Sequence, residues 1–239
     1  MALGSKTLDD LLKPISNQLG HASIPDTVEM PKWQSKAARV TDGLSQAQLV
    51  DLFAAEAEKI RVQVKRCTRD NLAQTLAAIV AAGVPESAEA CSVMCAEDDR
   101  FVQIGLYDAL SAQELVADVT VWDSADEEAN RKAALGATYG ITYASGGIAE
   151  TGTIIQPTNA RCGRSVSLLP LAHIAVVDAA TIKPTMLEAM RELDDERKDG
   201  TQLPSQVCFI SGPSATSDIE LVRVEGVHGP MYASYVIVE

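Results

Sequence analysis

His173-Ile174-Ala175-Val176-Val177 is an apolar run of strand length that shows no alternation with polar residues. A strand with one face in water alternates, whereas one covered on both faces, as in a parallel sheet flanked by helices, does not. Working outward, Pro184 opens a helix with Met186, Met190, Leu193 and Arg197 on one side, ending at Gly200. Val207-Cys208-Phe209-Ile210 reads as another buried strand and Tyr232 to Val238 as a final one. Upstream, Tyr139 to Tyr143 and Thr153 to Gln156 read as strands, and Ser165 to Leu169 as a short apolar piece. Val119-Thr120-Val121-Trp122 is a strand, with Asp123 or Ser124 capping a helix over Ala125 to Leu135.

Further upstream, Ser45 caps a helix with Val50, Phe53, Ala54, Ala57 and Ile60 on one face, and Val62-Gln63-Val64 is a strand. Asn71 to Ala82 is a helix stopped by Gly83, and Ser92 to Cys95 a short strand. Arg100 to Leu110 fits either state, and Ala112 to Ala117 is assigned to a helix. Strands and helices in alternation predict an α/β fold with a mixed, mostly parallel sheet, whose ligand-binding loops are expected at the carboxyl ends of the strands. Residues 1–43, with Leu8-Asp9-Asp10-Leu11-Leu12 ahead of Pro14, Pro25 and Pro31, read as an N-terminal helical arm docked through Trp33 and the leucines. Residues 44–239 form the domain.

Composition narrows the function. With 239 residues and 46% hydrophobic content the chain can bury a large core. A net charge of -13 argues against nucleic acid or an anionic membrane surface as a partner. There is no apolar run of about 18 residues and no basic-then-apolar leader, so neither a membrane span nor a secretory signal is read and a cytoplasmic location is expected. The five cysteines, Cys67, Cys91, Cys95, Cys162 and Cys208, have no cluster spacing, and His21, His173 and His228 no metal spacing, so no metal site is expected in this chain.

The segment from Ser145 to Thr153 sets Gly146, Gly147 and Gly152 around Glu150. Glycines beside strands permit close approach, and a carboxylate held there is less freely solvated, which makes Glu150 a candidate base or nucleophile. A carboxylate capping local backbone is the plainer alternative. Ser211-Gly212-Pro213-Ser214 through Asp218-Ile219-Glu220 leaves a strand toward a short helix, where free N–H groups favour an anion. Against that, Asp218 brings negative charge, and Ser217 with Glu220 fits a helix cap without a ligand. His228, between Gly226 and Gly229, is a residue type that exchanges protons near neutrality, and ranks above His173 at the start of its buried strand. Arg161 and Arg164 could pair with Glu150 or clamp a carboxylate, or remain solvated loop charges.

Together, Ile148-Ala149-Glu150-Thr151-Gly152-Thr153, Ser167-Leu168-Leu169-Pro170 with His173 to Val177, Ser211-Gly212-Pro213-Ser214 through Glu220, and Gly226-Val227-His228-Gly229-Pro230 resemble the LUD-domain family. The resemblance implies a three-layer open sheet similar to the phosphosugar isomerase and CoA-transferase-like group. It also implies a role in oxidising L-lactate to pyruvate beside iron-sulfur partner subunits that carry the electrons. Ala215 stands where a basic residue is common in the family, which weakens a phosphate or nucleotide reading, and Met231-Tyr232 is a second departure. Glu150 and His228 are the catalytic candidates. Gly147, Thr151, Gly152, Thr153, Arg164, His173, Ser214, Thr216, Ser217 and Asp218 are candidates to bind a small carboxylate, another anion or a cofactor of unassigned identity. The alternative is a stand-alone CoA-transferase- or isomerase-like enzyme using Glu150, for which a homo-oligomer is expected.

Overall fold

The computed structural model describes residues 7–21, 23–24, 39–85, 90–217 and 222–239. Two compact units divide the chain, 1–38 and 39–239. The first holds α1 (Leu8–Gln18), started by a reciprocal capping box between Thr7 and Asp10 and continuing through Pro14 rather than stopping before it. Trp33 lies outside the described residues.

The second unit begins with α2 (Gln46–Lys59), capped by Ser45 with Gln48 completing the box. Then come β1 (Val62–Cys67), α3 (Leu72–Ala82), β2 (Cys91–Cys95), the short α4 (Asp99–Gln103) and α5 (Leu106–Ser111), β3 (Val116–Val121), α6 (Glu127–Gly136) and β4 (Tyr139–Tyr143). The glycine segment folds as β5 (Gly146–Ile148), a 3-10 turn and β6 (Thr153–Thr158). It is followed by α7 (Ser165–Leu168), β7 (Ala172–Asp178), β8 (Ile182–Lys183), α8 (Met186–Lys198), β9 (Gln206–Ile210), the two-residue β10 (Ala215–Thr216) and β11 (Val224–Glu225), and β12 (Tyr232–Val238).

The six-stranded main sheet has the order β1-β12-β7-β4-β2-β3 and is parallel throughout. Its central strand β7 explains the missing alternation. Ile174 and Val176 point into a core shared with α3, α5 and Tyr139 and Ile141 of β4, while Ala175 and Val177 point into one shared with α2 and Ile154 of β6. Both faces are therefore dry. The layer on the second face is α2 together with a four-stranded sheet ordered β8-β5-β6-β9. That smaller sheet supplies the mixed character, with β5 parallel to β8 and β6 antiparallel to β5 and β9. The α/β, three-layer, mostly parallel expectation holds.

Several local expectations change. Ala112 to Ala117 is not helical: α5 stops at Ser111, and Val116 already belongs to edge strand β3 beside β2. The cap of α6 is Asp126, which accepts from the Ala129 N–H, while Asp123 accepts from Ala125 one turn earlier. Strand β9 is only half-buried and lies in the smaller antiparallel pairing, because its outer edge has no strand partner. The residues after Ser211 form β10 instead of entering a helix directly, and Asp218-Ile219-Glu220 lie outside the described residues.

Candidate functional site

The segments before β7 and β12 meet the end of β9 around a cavity of about 430 Å³, lined among others by Ser167, His173, Ser211, Ser214 and His228. Three stretches distant in sequence converge here because β7 and β12 are adjacent and in register, with His173 beside Ala233. The cavity therefore lies at the amino ends of these parallel strands. The expected gathering of the motif loops at the carboxyl ends of one sheet is corrected: α7 and the Gly226–Pro230 turn precede their strands, the glycine segment follows β4 of the main sheet, and the Ser211 turn follows β9 of the smaller one.

The loops interlock through main-chain hydrogen bonds. Ser214 N–H donates to Pro230 O at 2.8 Å, Gly226 N–H to Ser214 O at 2.9 Å, and Met231 N–H to Leu171 O at 2.8 Å. A Cβ at Gly229 would stand 3.1 Å from Cβ of Ser214, so the glycine lets the two turns approach. Beneath them the Tyr235 hydroxyl, in the core of the main sheet, donates to Ile210 O at 2.9 Å and accepts from the Gly212 N–H at 3.0 Å.

His173 is 2% exposed, with Nε2 at 2.9 Å from Thr142 Oγ1 and Nδ1 buried without a hydrogen-bond partner. Burial pushes its pKa down to about 4, so the imidazole is neutral near pH 7. His228, by contrast, is exposed at the rim. A line of three hydroxyls leads to the cavity from the glycine segment: Thr151 Oγ1 is 2.7 Å from Thr153 Oγ1, which is 2.7 Å from Ser211 Oγ. Hydroxyls, a neutral imidazole and a rim histidine offer donors and acceptors without a fixed charge.

Of the residues singled out in the sequence, His173, Ser214 and His228 come together, with Thr151 and Thr153 joined to them through Ser211. Glu150 is not among the lining residues: its carboxylate accepts from the Met186 N–H at 3.1 Å, at the positive N-terminus of α8. That is a structural use of a carboxylate. Gly147 is a packing position, where a Cβ would stand 2.8 Å from the Phe53 ring. Gly152, at φ 58, has α2 against it, with Ala57 N only 2.3 Å from where a Cβ would stand. Arg164 is exposed ahead of α7, Thr216 lies in β10 and Ser217 is exposed after it, and Asp218 is outside the described residues. Arg161 pairs with Asp99 and Glu97, not with Glu150. Ser167 and Ser211, both within the family motifs, also line the cavity; Ser211 adjoins Gly212-Pro213, a local signal that Ser167, between Val166 and Leu168, does not have.

A family model described as the LUD domain matches residues 50–238, and the chain belongs to the LUD-domain family. Among its relatives, lactate utilization protein C 1 of Bacillus mycoides (strain KBAB4) is 37% identical over 97% of this chain and 96% of the relative. The lactate utilization protein C of Halalkalibacterium halodurans is 35% identical, covering 97% of each chain, and that of Oceanobacillus iheyensis 31% identical, again over 97% of each. A crystal structure of a DUF162 family protein from Deinococcus radiodurans has the same fold, with a TM-score of 0.55 at 20% identity over 82% of this chain and 99% of that one.

Among the described residues no group of three or more His, Cys, Asp or Glu is placed to hold a metal ion. Burial pushes the Cys95 and Cys162 thiols up to about 12, so without a metal both are protonated. Nor is any helix among the described residues long and apolar enough to cross a membrane.

Proposed function

We propose that this chain serves in lactate utilisation as the subunit without clusters in a cytoplasmic L-lactate-oxidising assembly, with iron-sulfur clusters on partner subunits. In that reading the cavity between α7, β9 and the Gly226–Pro230 turn takes a small carboxylate. The observation that carries it is the convergence of Ser167, His173, Ser211, Ser214 and His228 on one cavity, in a chain whose relatives over nearly full length bear the lactate utilization name. Serine hydroxyls can donate to a carboxylate. His228 at the rim is placed to take or return a proton. Oxidation of lactate to pyruvate releases two electrons and two protons, and the electrons pass to the partners.

The test is recovery of the tagged chain from its native host, with assays of copurified iron, acid-labile sulfide and L-lactate-dependent dye reduction. Iron and sulfide with lactate-dependent activity, weakened about tenfold by Ser214→Ala, are expected. A colourless homo-oligomer without that activity would overturn the assignment.

A further inference from the structure

The six-stranded sheet is open, and among the described residues neither β1 nor β3 has a strand beyond it. A free edge is a row of N–H and C=O groups ready to pair with another chain, and proteins commonly guard it with charge, proline or a bulge. β1 is guarded: Lys65 and Arg66 are both exposed, and Arg66 is tied to Asp51 at 2.7 Å and to Glu239 at 3.4 Å. β3, Val116-Ala117-Asp118-Val119-Thr120-Val121, has no lysine, arginine or proline, and Asp118 is its single charge. Its one register shift, opposite Cys91 and Ser92, leaves Asp118 to Val121 regular.

Which groups face outward is fixed by the ladder. In a parallel sheet, successive residues of a strand turn their main-chain groups to alternate sides. Trp122 N–H donates to Cys95 O of β2 at 2.9 Å, so Thr120 and Asp118 also face inward. Val119 and Val121 therefore turn N–H and C=O to the free edge. In an antiparallel pair, residues that exchange both hydrogen bonds alternate with pairs that exchange none. A second copy of β3 approaching antiparallel satisfies both valines of each chain when Val119 lies opposite Val121 of the copy. The two-fold axis then passes through Thr120, which meets its own counterpart. Shifting the copy by two residues sets a valine against Ala117, which faces β2 as Leu115 does, or against Asp123, whose N–H is taken by Asn130.

Charge also favours a copy. The net charge of -13 opposes contact between two chains over most of their surface. Beside β3, however, the groove of about 420 Å³ under α6 presents one carboxylate and one ammonium group, Asp118 and Lys132. Neither is in a salt bridge among the described residues. A two-fold axis normal to the sheet keeps each face on its own side and brings two such grooves together, so each sign meets its opposite. The two Asp118 carboxylates fall opposite Trp122 and not opposite each other, while the threonine pair on the axis is a favourable cross-strand match.

We propose that this chain forms a two-fold dimer through the free edge of β3, joining two main sheets into one, with Val119 opposite Val121 and Thr120 on the axis. The interface uses no residue of the His173 cavity and does not depend on the lactate reading.

The experiment is sedimentation equilibrium of the purified full chain from about 1 to 100 μM, followed by disulfide trapping. The mass should rise toward twice 25.4 kDa. Val119→Pro, which deletes an outward N–H and no bond to β2, should weaken self-association at least tenfold, with folding checked by circular dichroism. Thr120→Cys should form an intermolecular disulfide on mild oxidation, because a non-hydrogen-bonded antiparallel pair brings Cα atoms to about 4.5 Å. Ala117→Cys, exposed but away from the axis, should not, and the wild type with its five cysteines sets the background. A mass that stays at 25.4 kDa throughout overturns the dimer. Absent trapping in Thr120→Cys, equal trapping in Ala117→Cys, or undiminished association of a folded Val119→Pro overturns the interface.

Discussion

The cavity at the amino ends of β7 and β12 is furnished with serines and histidines, none of them in an ion pair. By contrast, a crevice of about 370 Å³ at the carboxyl ends of β2 and β4 is ringed by Glu97, Asp98, Asp99, Arg100 and Arg161, charges that are paired with one another. One sheet thus carries two kinds of polar surface at its two ends. The difference teaches that burial at the amino end is tolerated by keeping groups neutral, as with His173. At the carboxyl end it is tolerated by placing each cation against a carboxylate.

The largest effect separating the two ends is expected from Gly140→Ala. A Cβ there would stand 1.8 Å from Val166 O and 2.8 Å from Pro170 Cγ, so α7, which carries Ser167 into the cavity, must move. Urea unfolding should show a loss of about 3 kcal/mol or more. An unchanged midpoint would mean that this contact does not position the cavity wall.

Acid separates the two ends next. His173 has its folded pKa pushed down to about 4 from an ordinary 6.5, so between these values the unfolded chain binds more protons and stability falls as pH falls. The loss should approach roughly 3 kcal/mol across that window and should vanish in His173→Gln. In the crevice, desolvation alone would raise Asp98, but the hydrogen bonds and charge of Arg100 hold it below the usual carboxylate range. A hydrogen bond from Arg161 does the same for Asp99. Their contribution is present above the usual carboxylate pKa and is lost only as pH drops through the depressed folded values. The cavity should therefore respond to acid before the crevice does, and a His173→Gln variant with an unchanged stability profile between pH 6.5 and 4 would break the contrast.

Smaller effects sharpen it. Thr153→Val removes the middle hydroxyl between Thr151 and Ser211 and should cost about 1 kcal/mol by thermal melting. Asp99→Asn, at the exposed rim of the crevice, should leave the melting temperature within error, since a solvated ion pair contributes little. A large drop there would show that the paired charges stabilise the fold and are not simply neutralised.

How much of this was legible in the sequence can be followed residue by residue. The run from His173 to Val177 correctly announced a strand covered on both faces, and Gly83 and Ser45 marked helix ends by local chemistry alone. Arg100 to Leu110 stayed ambiguous because Gly105, at φ 66, splits it into two helices too short to show a period. Val207 to Ile210 has the composition of a buried strand, and nothing local distinguishes a half-covered edge of a second sheet. Of the site, the serine and histidine motifs were visible, but their meeting depends on β12 returning between β1 and β7, a fact of topology. The glycines around Glu150 suggested a ligand, and their neighbours turn out to be Thr181 at Gly146, Phe53 at Gly147 and Ala57 at Gly152. Arg100 gave no signal, because a lone polar residue in a short helix has no spacing to read.

The Tyr235 hydroxyl, anchored in β12 and bonded to both Ile210 and Gly212, has a further consequence. It ties the turn that bears Ser211 and Ser214 to a buried strand paired on both sides. A ligand arriving there meets a wall whose conformational entropy was already surrendered when the chain folded, so little of its interaction energy goes into ordering the loop. Selectivity at that wall then rests on shape and hydrogen-bond direction, which a rigid turn can enforce and a pliable one cannot.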